Sequence, residues 1–168
     1  AAAAKVAEGE TKYPPVPGLP ELRDAISAKF RNENGLEYDP AQVIVSAGGK
    51  QVIALALLAT LDPGDEVIVP APYYFSYTQL ITLAGATPVV VPTSEQDGFL
   101  MTPEALNGAI TGKTRWLILN APANPTGAVY SVERLEDLGR VLERHPQVWV
   151  LTDDIYEHLI YGDGPFAT

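Results

Sequence analysis

Short runs rich in valine, isoleucine and leucine recur along this chain with helix-length spacers between them, and that alternation constrains the fold more than any other feature. The runs fall at residues 43–45, 66–69, 88–91, 116–119 and 148–151. Each is apolar with little alternation, which is the pattern of a strand covered on both faces rather than one that lies half in water. Between them the apolar residues take helical spacing. Strand–helix–strand repetition of this kind predicts an α/β fold, a three-layer sandwich around a mainly parallel sheet.

The punctuation supports that reading. Leu22, Ala25, Ile26 and Phe30 follow Pro20 at helical spacing and Gly35 supplies a stop, which predicts a helix of roughly four turns. Val43, Ile44 and Val45 read as a strand leading through Ser46-Ala47-Gly48-Gly49 into an apolar helix that starts near Lys50. Asp62-Pro63-Gly64-Asp65 and Gly85 break the chain on either side of a strand and a helix over 73–84. Thr102 and Ser131 stand where N-caps belong, the latter before a helix over 132–144. The stretch Tyr161-Gly162-Asp163-Gly164-Pro165 reads as a break in regular structure.

Composition narrows the function classes. With 46% apolar and 19% charged residues the chain can close a globular core. A net charge of -10 argues against a nucleic-acid partner, which needs clustered Lys and Arg. The longest apolar run, 52–61, is about half of the roughly 20 residues that a membrane span needs, so it reads as a buried helix and no membrane partner is expected. There is no cysteine, so neither a disulfide nor a thiolate metal site can form, and the cytoplasm is the expected compartment. His145 and His158 are too few for a zinc site, and no metal is expected. The chain opens on Ala1 rather than Met without a charged leader, which reads as a truncated end rather than a signal peptide.

Polar clusters sit where strands end, the place where open parallel sheets bind ligands. In Ser46-Ala47-Gly48-Gly49-Lys50-Gln51, glycines and a helix N-terminus favour an anion such as phosphate, although a tight turn would read the same. Asn120-Ala121-Pro122-Ala123-Asn124-Pro125-Thr126-Gly127 stiffens one loop around Asn124, as a structural turn could also do. Thr152-Asp153-Asp154-Ile155-Tyr156-Glu157-His158 places two carboxylates at the mouth of an apolar sheet, where they need either partners or a helix to cap.

Together these clusters resemble the class I aminotransferases of the aspartate aminotransferase type. The resemblance rests on Tyr13-Pro14 with Gly18, Leu22 and Arg23; Gly48-Gly49-Lys50-Gln51; the segment 62–67; Pro72-Tyr73; Asn124-Pro125-Thr126-Gly127; and Asp153 through Tyr156-Glu157-His158. It implies a pyridoxal 5'-phosphate cofactor whose protonated ring nitrogen pairs with Asp153. Asn124 and Tyr156 would contact the phenolic oxygen, and the amides of Ala47, Gly48, Gly49 and Lys50 would hold the phosphate. Tyr74 would stack on the ring where the family usually has tryptophan, and Tyr13 would reach the phosphate of a neighbouring subunit, making the site complete only in a homodimer.

The same resemblance implies what this stretch lacks. The lysine that forms the covalent link to the cofactor would follow the Asp-x-x-Tyr motif beyond Thr168, and Lys50 reads as a loop residue instead. No catalytic residue in the strict sense is therefore expected within these residues, nor turnover by them alone. By this reading 1–19 form an N-terminal segment and dimer-interface loop, 20–168 part of the cofactor-binding large domain, and the small C-terminal domain is absent. The implied reaction moves an amino group between an amino acid, aspartate-like or aromatic, and a 2-oxo acid. The competing reading is a non-catalytic α/β module that binds a phosphate or nucleotide, which leaves Asn124 and Asp153 unexplained.

Overall fold

Four parallel strands, β1 (Glu66–Ala71), β2 (Thr87–Pro92), β3 (Thr114–Asn120) and β4 (Trp149–Asp153), form a sheet in the order β2-β1-β3-β4. The structure, a computed structural model, describes residues 1–9, 11–161 and 166–168. It divides into two units, Ala1–Val52 and Ile53–Thr168. The expected break over 162–165 lies outside the described residues.

In the second unit the central strands alternate their side chains between two cores. Ile68, Leu117 and Leu119 face one core with Leu106, Leu138 and Val141 of α5 (Pro103–Ala109) and α6 (Val132–Leu142). Val67, Val69, Trp116 and Ile118 face the other with Ile53 and Leu57 of α3 (Gly49–Thr60) and Ile81 of α4 (Ser76–Leu83). Helices thus cover both faces of β1 and β3, the three layers expected, whereas β4 at the sheet edge leaves Trp149 and Val150 exposed rather than covered on both faces. A side chain such as Leu57 or Leu117, each 0% exposed, contributes about 1.5–3 kcal/mol by burial.

The caps match their sequence signals: Thr102 Oγ1 accepts from the Ala105 amide at 3.2 Å, and Ser131 Oγ from the Arg134 amide at 3.2 Å. Two expectations need correction. The run 52–61 is not buried all round: Ile53, Leu57 and Leu61 are, while Leu55 and Leu58 are exposed, because among the described residues one side of the helix packs on the sheet. And α4 begins at Ser76 rather than Tyr73, since Pro72 through Phe75 first turn the chain away from β1.

In the first unit, α1 (Ala2–Ala7) is exposed and α2 (Pro20–Lys29) continues as a wider turn through Phe30–Asn34 to Gly35, whose amide returns to the Phe30 carbonyl. Residues 43–45 do not form the strand expected of them. A strand needs a neighbour for its ladder, and here Val45 donates its amide to the Pro17 carbonyl at 2.9 Å while Arg23 Nε donates to the Val43 carbonyl at 3.0 Å. That crossing is close. A Cβ at Gly18, where φ is +105°, would stand 2.6 Å from Val45 Cγ2, so only glycine lets the two segments meet.

Candidate functional site

β4 delivers Asp153 to the carboxyl end of the sheet as its last residue. The carboxylate Oδ2 accepts a 2.7 Å hydrogen bond from the Tyr77 hydroxyl, contributed by the first turn of α4. Tyr77 is 2% exposed. Burial pushes its phenol well above the ordinary tyrosine range, and the bond to Asp153 pushes the same way, so the hydroxyl stays a neutral donor and the acid keeps one oxygen fixed. The partner that the acid required is therefore a phenol. Asp154 is held differently: its carboxylate accepts from Thr168 Oγ1 at 2.7 Å, and burial raises it above the usual carboxylate range.

The neighbouring strand end is built from Asn120, in register with Asp153. Asn120 Nδ2 donates to the Asp153 carbonyl at 2.6 Å and its Oδ1 accepts the Asn124 amide at 2.7 Å. Gly127 donates to the Ala123 carbonyl at 2.7 Å and closes the loop. Asn124 and Tyr156 then line one cavity of about 330 Å³ together with Pro122, Pro125 and Leu159. A second cavity of about 20 Å³, room for a single water, is lined by Tyr73, Tyr77, Asn120 and Asn124 on the core side. The strand ends thus bring together the Asp153, Asn124 and Tyr156 singled out by sequence, through two residues that sequence did not single out as site residues, Tyr77 and Asn120.

Tyr74 lies edge-on to Phe75 and Tyr77, with ring centroids 4.9 and 5.8 Å away. Its ring thus packs against the Tyr77 whose hydroxyl bonds Asp153.

The glycine turn belongs to the first unit. Gly48 has φ +92°, a backbone that favours glycine. Ala47 donates its amide to Gln51 Oε1 at 2.7 Å, and Gly48 to the Ser46 carbonyl at 2.9 Å. Ser46 Oγ also donates to Gln51 Oε1, at 2.9 Å. Gly49 is the first residue of α3, so its amide has no acceptor within the helix. Lys50 is in the first helical turn, not in a loop as expected. Tyr13, also in this unit, is fully exposed.

Among the described residues no helix is long and apolar enough to cross a membrane. The family model for aminotransferase class I and II matches residues 1–168. An aspartate/prephenate aminotransferase of Cereibacter sphaeroides is 56% identical over 160 residues, covering 95% of this chain and 40% of that protein. A bifunctional aspartate aminotransferase and glutamate/aspartate-prephenate aminotransferase of Petunia hybrida is 51% identical over 157 residues, 94% of this chain and 33% of that protein. Among solved structures, the aspartate aminotransferase of Rhizobium meliloti superposes with a TM-score of 0.97 at 46% identity, over 99% of this chain and 42% of that one. An aromatic aminotransferase of Pyrococcus horikoshii gives 0.95 at 40% identity, over 99% and 44%. The chain spans about 40% of the length of the curated relatives it matches.

Proposed function

The chain belongs to the class I and II aminotransferase family, and from that membership we propose that the full-length protein transfers an amino group from an aspartate-like donor to a 2-oxo acid with pyridoxal 5'-phosphate as cofactor. The observation that carries the reading is the Asp153 carboxylate, fixed at the strand end by a neutral Tyr77 and joined through Asn120 to Asn124, which lines a cavity with Tyr156.

The donor set fits this cofactor. A carboxylate with one oxygen committed to Tyr77 keeps a second for a protonated ring nitrogen, and the amide of Asn124 with the phenol of Tyr156 suits a phenolic oxygen. Tyr74 offers an aromatic face, and the turn at Ala47, Gly48, Gly49 and Lys50 offers backbone donors for a phosphate. When bound, pyridoxal 5'-phosphate supplies the electron sink for charge developed at the amino acid Cα. Asp153 holds the proton on the ring nitrogen that makes the sink effective. Asn124 and Tyr156 bind and orient, and they set the polarity around the phenolic oxygen.

Residues 1–19 we assign to a subunit interface, with Tyr13 reaching a neighbouring copy in a homodimer; the full exposure of Tyr13 and Val16 supports it. Residues 20–168 form part of the cofactor-binding domain in this reading, and the compartment is the cytoplasm. Relatives named for aspartate, prephenate and aromatic substrates all match these same residues.

The test is to titrate the full-length protein with pyridoxal 5'-phosphate and then with amino donors. Saturable binding, with a near-visible absorption band that shifts on adding aspartate, is expected. A full-length protein that takes up no cofactor overturns the proposal.

A further inference from the structure

We propose that Asn120 is a positioning residue that locks the Asp153 and Asn124 strand ends together, so that these two contacts are set as a pair rather than one by one. The inference rests on the cofactor reading above and goes beyond it, since Asn120 does not line the large cavity.

The geometry follows from where the sheet stops. Asn120 and Asp153 are the last paired residues of β3 and β4. Past Asn120 the chain leaves the sheet through Ala121 and Pro122. The Asp153 carbonyl accepts from a side chain there, Asn120 Nδ2 at 2.6 Å. The other end of the same amide accepts the Asn124 N–H at 2.7 Å. Both bonds are partly buried, and the network fixes which end of the amide is which, because a carbonyl needs a donor and an N–H needs an acceptor. Only a primary amide of this length meets both demands. Aspartate would keep the acceptor and set a carboxylate against the Asp153 carbonyl; alanine would lose both arms.

Asn124 therefore has its backbone held by Asn120 while its side-chain amide makes no hydrogen bond among the described residues, and it borders the cavity it shares with Tyr156. Asp153 is held twice, by Tyr77 at its side chain and by Asn120 at its backbone. A loosened Asn120 would release both strand ends at once.

The test uses the full-length protein with amide hydrogen exchange without cofactor and pyridoxal 5'-phosphate affinity with it. Asn120→Ala is expected to lose protection at the Asn124 amide and to weaken cofactor affinity about 10-fold, the scale on which outer-shell partners act. Asn120→Asp is expected to keep that protection, because the acceptor remains, while still weakening affinity. In a double-mutant cycle, Asn120→Ala should cost much less once Asn124 is already alanine, because part of its effect runs through Asn124. Unchanged exchange at Asn124 in Asn120→Ala, or fully additive losses in the cycle, overturns the clamp while leaving the cofactor reading intact. Should Asn120→Ala fail to fold, Asn120→Asp decides alone: unchanged affinity in that variant overturns the proposal. Absence of cofactor binding in the unmutated protein overturns the reading on which the clamp depends.

Discussion

At the ends of β3 and β4, Asp153 is held by partners on other elements: by Tyr77, 76 residues earlier, and by Asn120, 33 residues earlier. The turn at residues 46–51 instead satisfies itself, with Gln51 accepting from Ser46 and Ala47 within five positions. The first arrangement exists only when the sheet is assembled, is partly buried and resists water. The second is exposed and local, so it forms cheaply and can be rearranged by an anion that offers its amides better acceptors. A site that must hold a charge on one ring atom needs the first kind of support, whereas a group that binds an oxygen-rich anion can use the second.

The contrast predicts its largest effect at Asp153. Asp153→Ala in the full-length protein should lower turnover by on the order of 100-fold or more, the scale of removing one preorganised electrostatic contact. Steady-state rates with a saturating amino donor check it, and a variant that turns over normally would remove the strand end from the mechanism.

Tyr77→Phe comes next. Losing a hydrogen bond to a charged acceptor should reduce stability by about 1–2 kcal/mol at neutral pH, measured by urea unfolding. Its pH dependence carries a sign. Because the folded phenol titrates above the unfolded value of about 10, the fold keeps a proton that the unfolded chain loses. The stabilisation is complete below pH 10 and falls above it, by up to about 1.4 kcal/mol per pH unit until the folded group itself titrates. Tyr77→Phe should flatten that alkaline decline, and equal slopes in the two proteins would contradict the assignment.

How much of this was legible in sequence follows the same division. Local signals were readable: Thr102 and Ser131 cap where their side chains must, and the apolar runs around Ile68 and Leu117 are strands because nothing else buries them on two sides. Asp153 and Asn124 stood out because polar residues at apolar strand ends need a reason. What escaped depends on partners that sequence cannot supply. Residues 43–45 have strand composition and no described neighbour to complete a ladder, and Leu55 and Leu58 continue an apolar pattern past the one face that packs. Tyr77 carries no signal of its own within the helix expected over 73–84; its bond to Asp153, 76 residues on, forms only when the sheet is assembled. Asn120 read as the opening of a turn; its two bonds are visible only once β3 and β4 are side by side.

Gln51→Ala sharpens the comparison from the other side. Its bonds are exposed and water can replace them, so a cost of roughly 0.5 kcal/mol in unfolding free energy is expected. It frees the Ala47 amide, so affinity of the full-length protein for pyridoxal 5'-phosphate should hold or rise. A substantial loss of affinity would show that the turn, too, is prearranged by its side chain.

The smallest effect is expected at Asp154, the acid beside the one assigned to the cofactor. Its carboxylate is raised chiefly by burial, with the Thr168 hydroxyl partly offsetting this and the nearby Glu157 and Asp153 charges adding to it. A raised acid is one whose charge the fold disfavours, so it costs stability above its folded pKa and nothing below the unfolded one, where both states are protonated. Asp154→Asn keeps an acceptor for Thr168 and removes the charge. Discounted for the solvent that still reaches the group, the gain at neutral pH is a few tenths of a kcal/mol, and it should vanish as the pH falls through the carboxylate range. Thermal unfolding of both proteins across that range reads the difference. A variant less stable than the parent at neutral pH would mean that the Asp154 charge has a favourable partner, and the two adjacent acids would then be alike in kind rather than divided between a fixed site and an unfavourable neighbour.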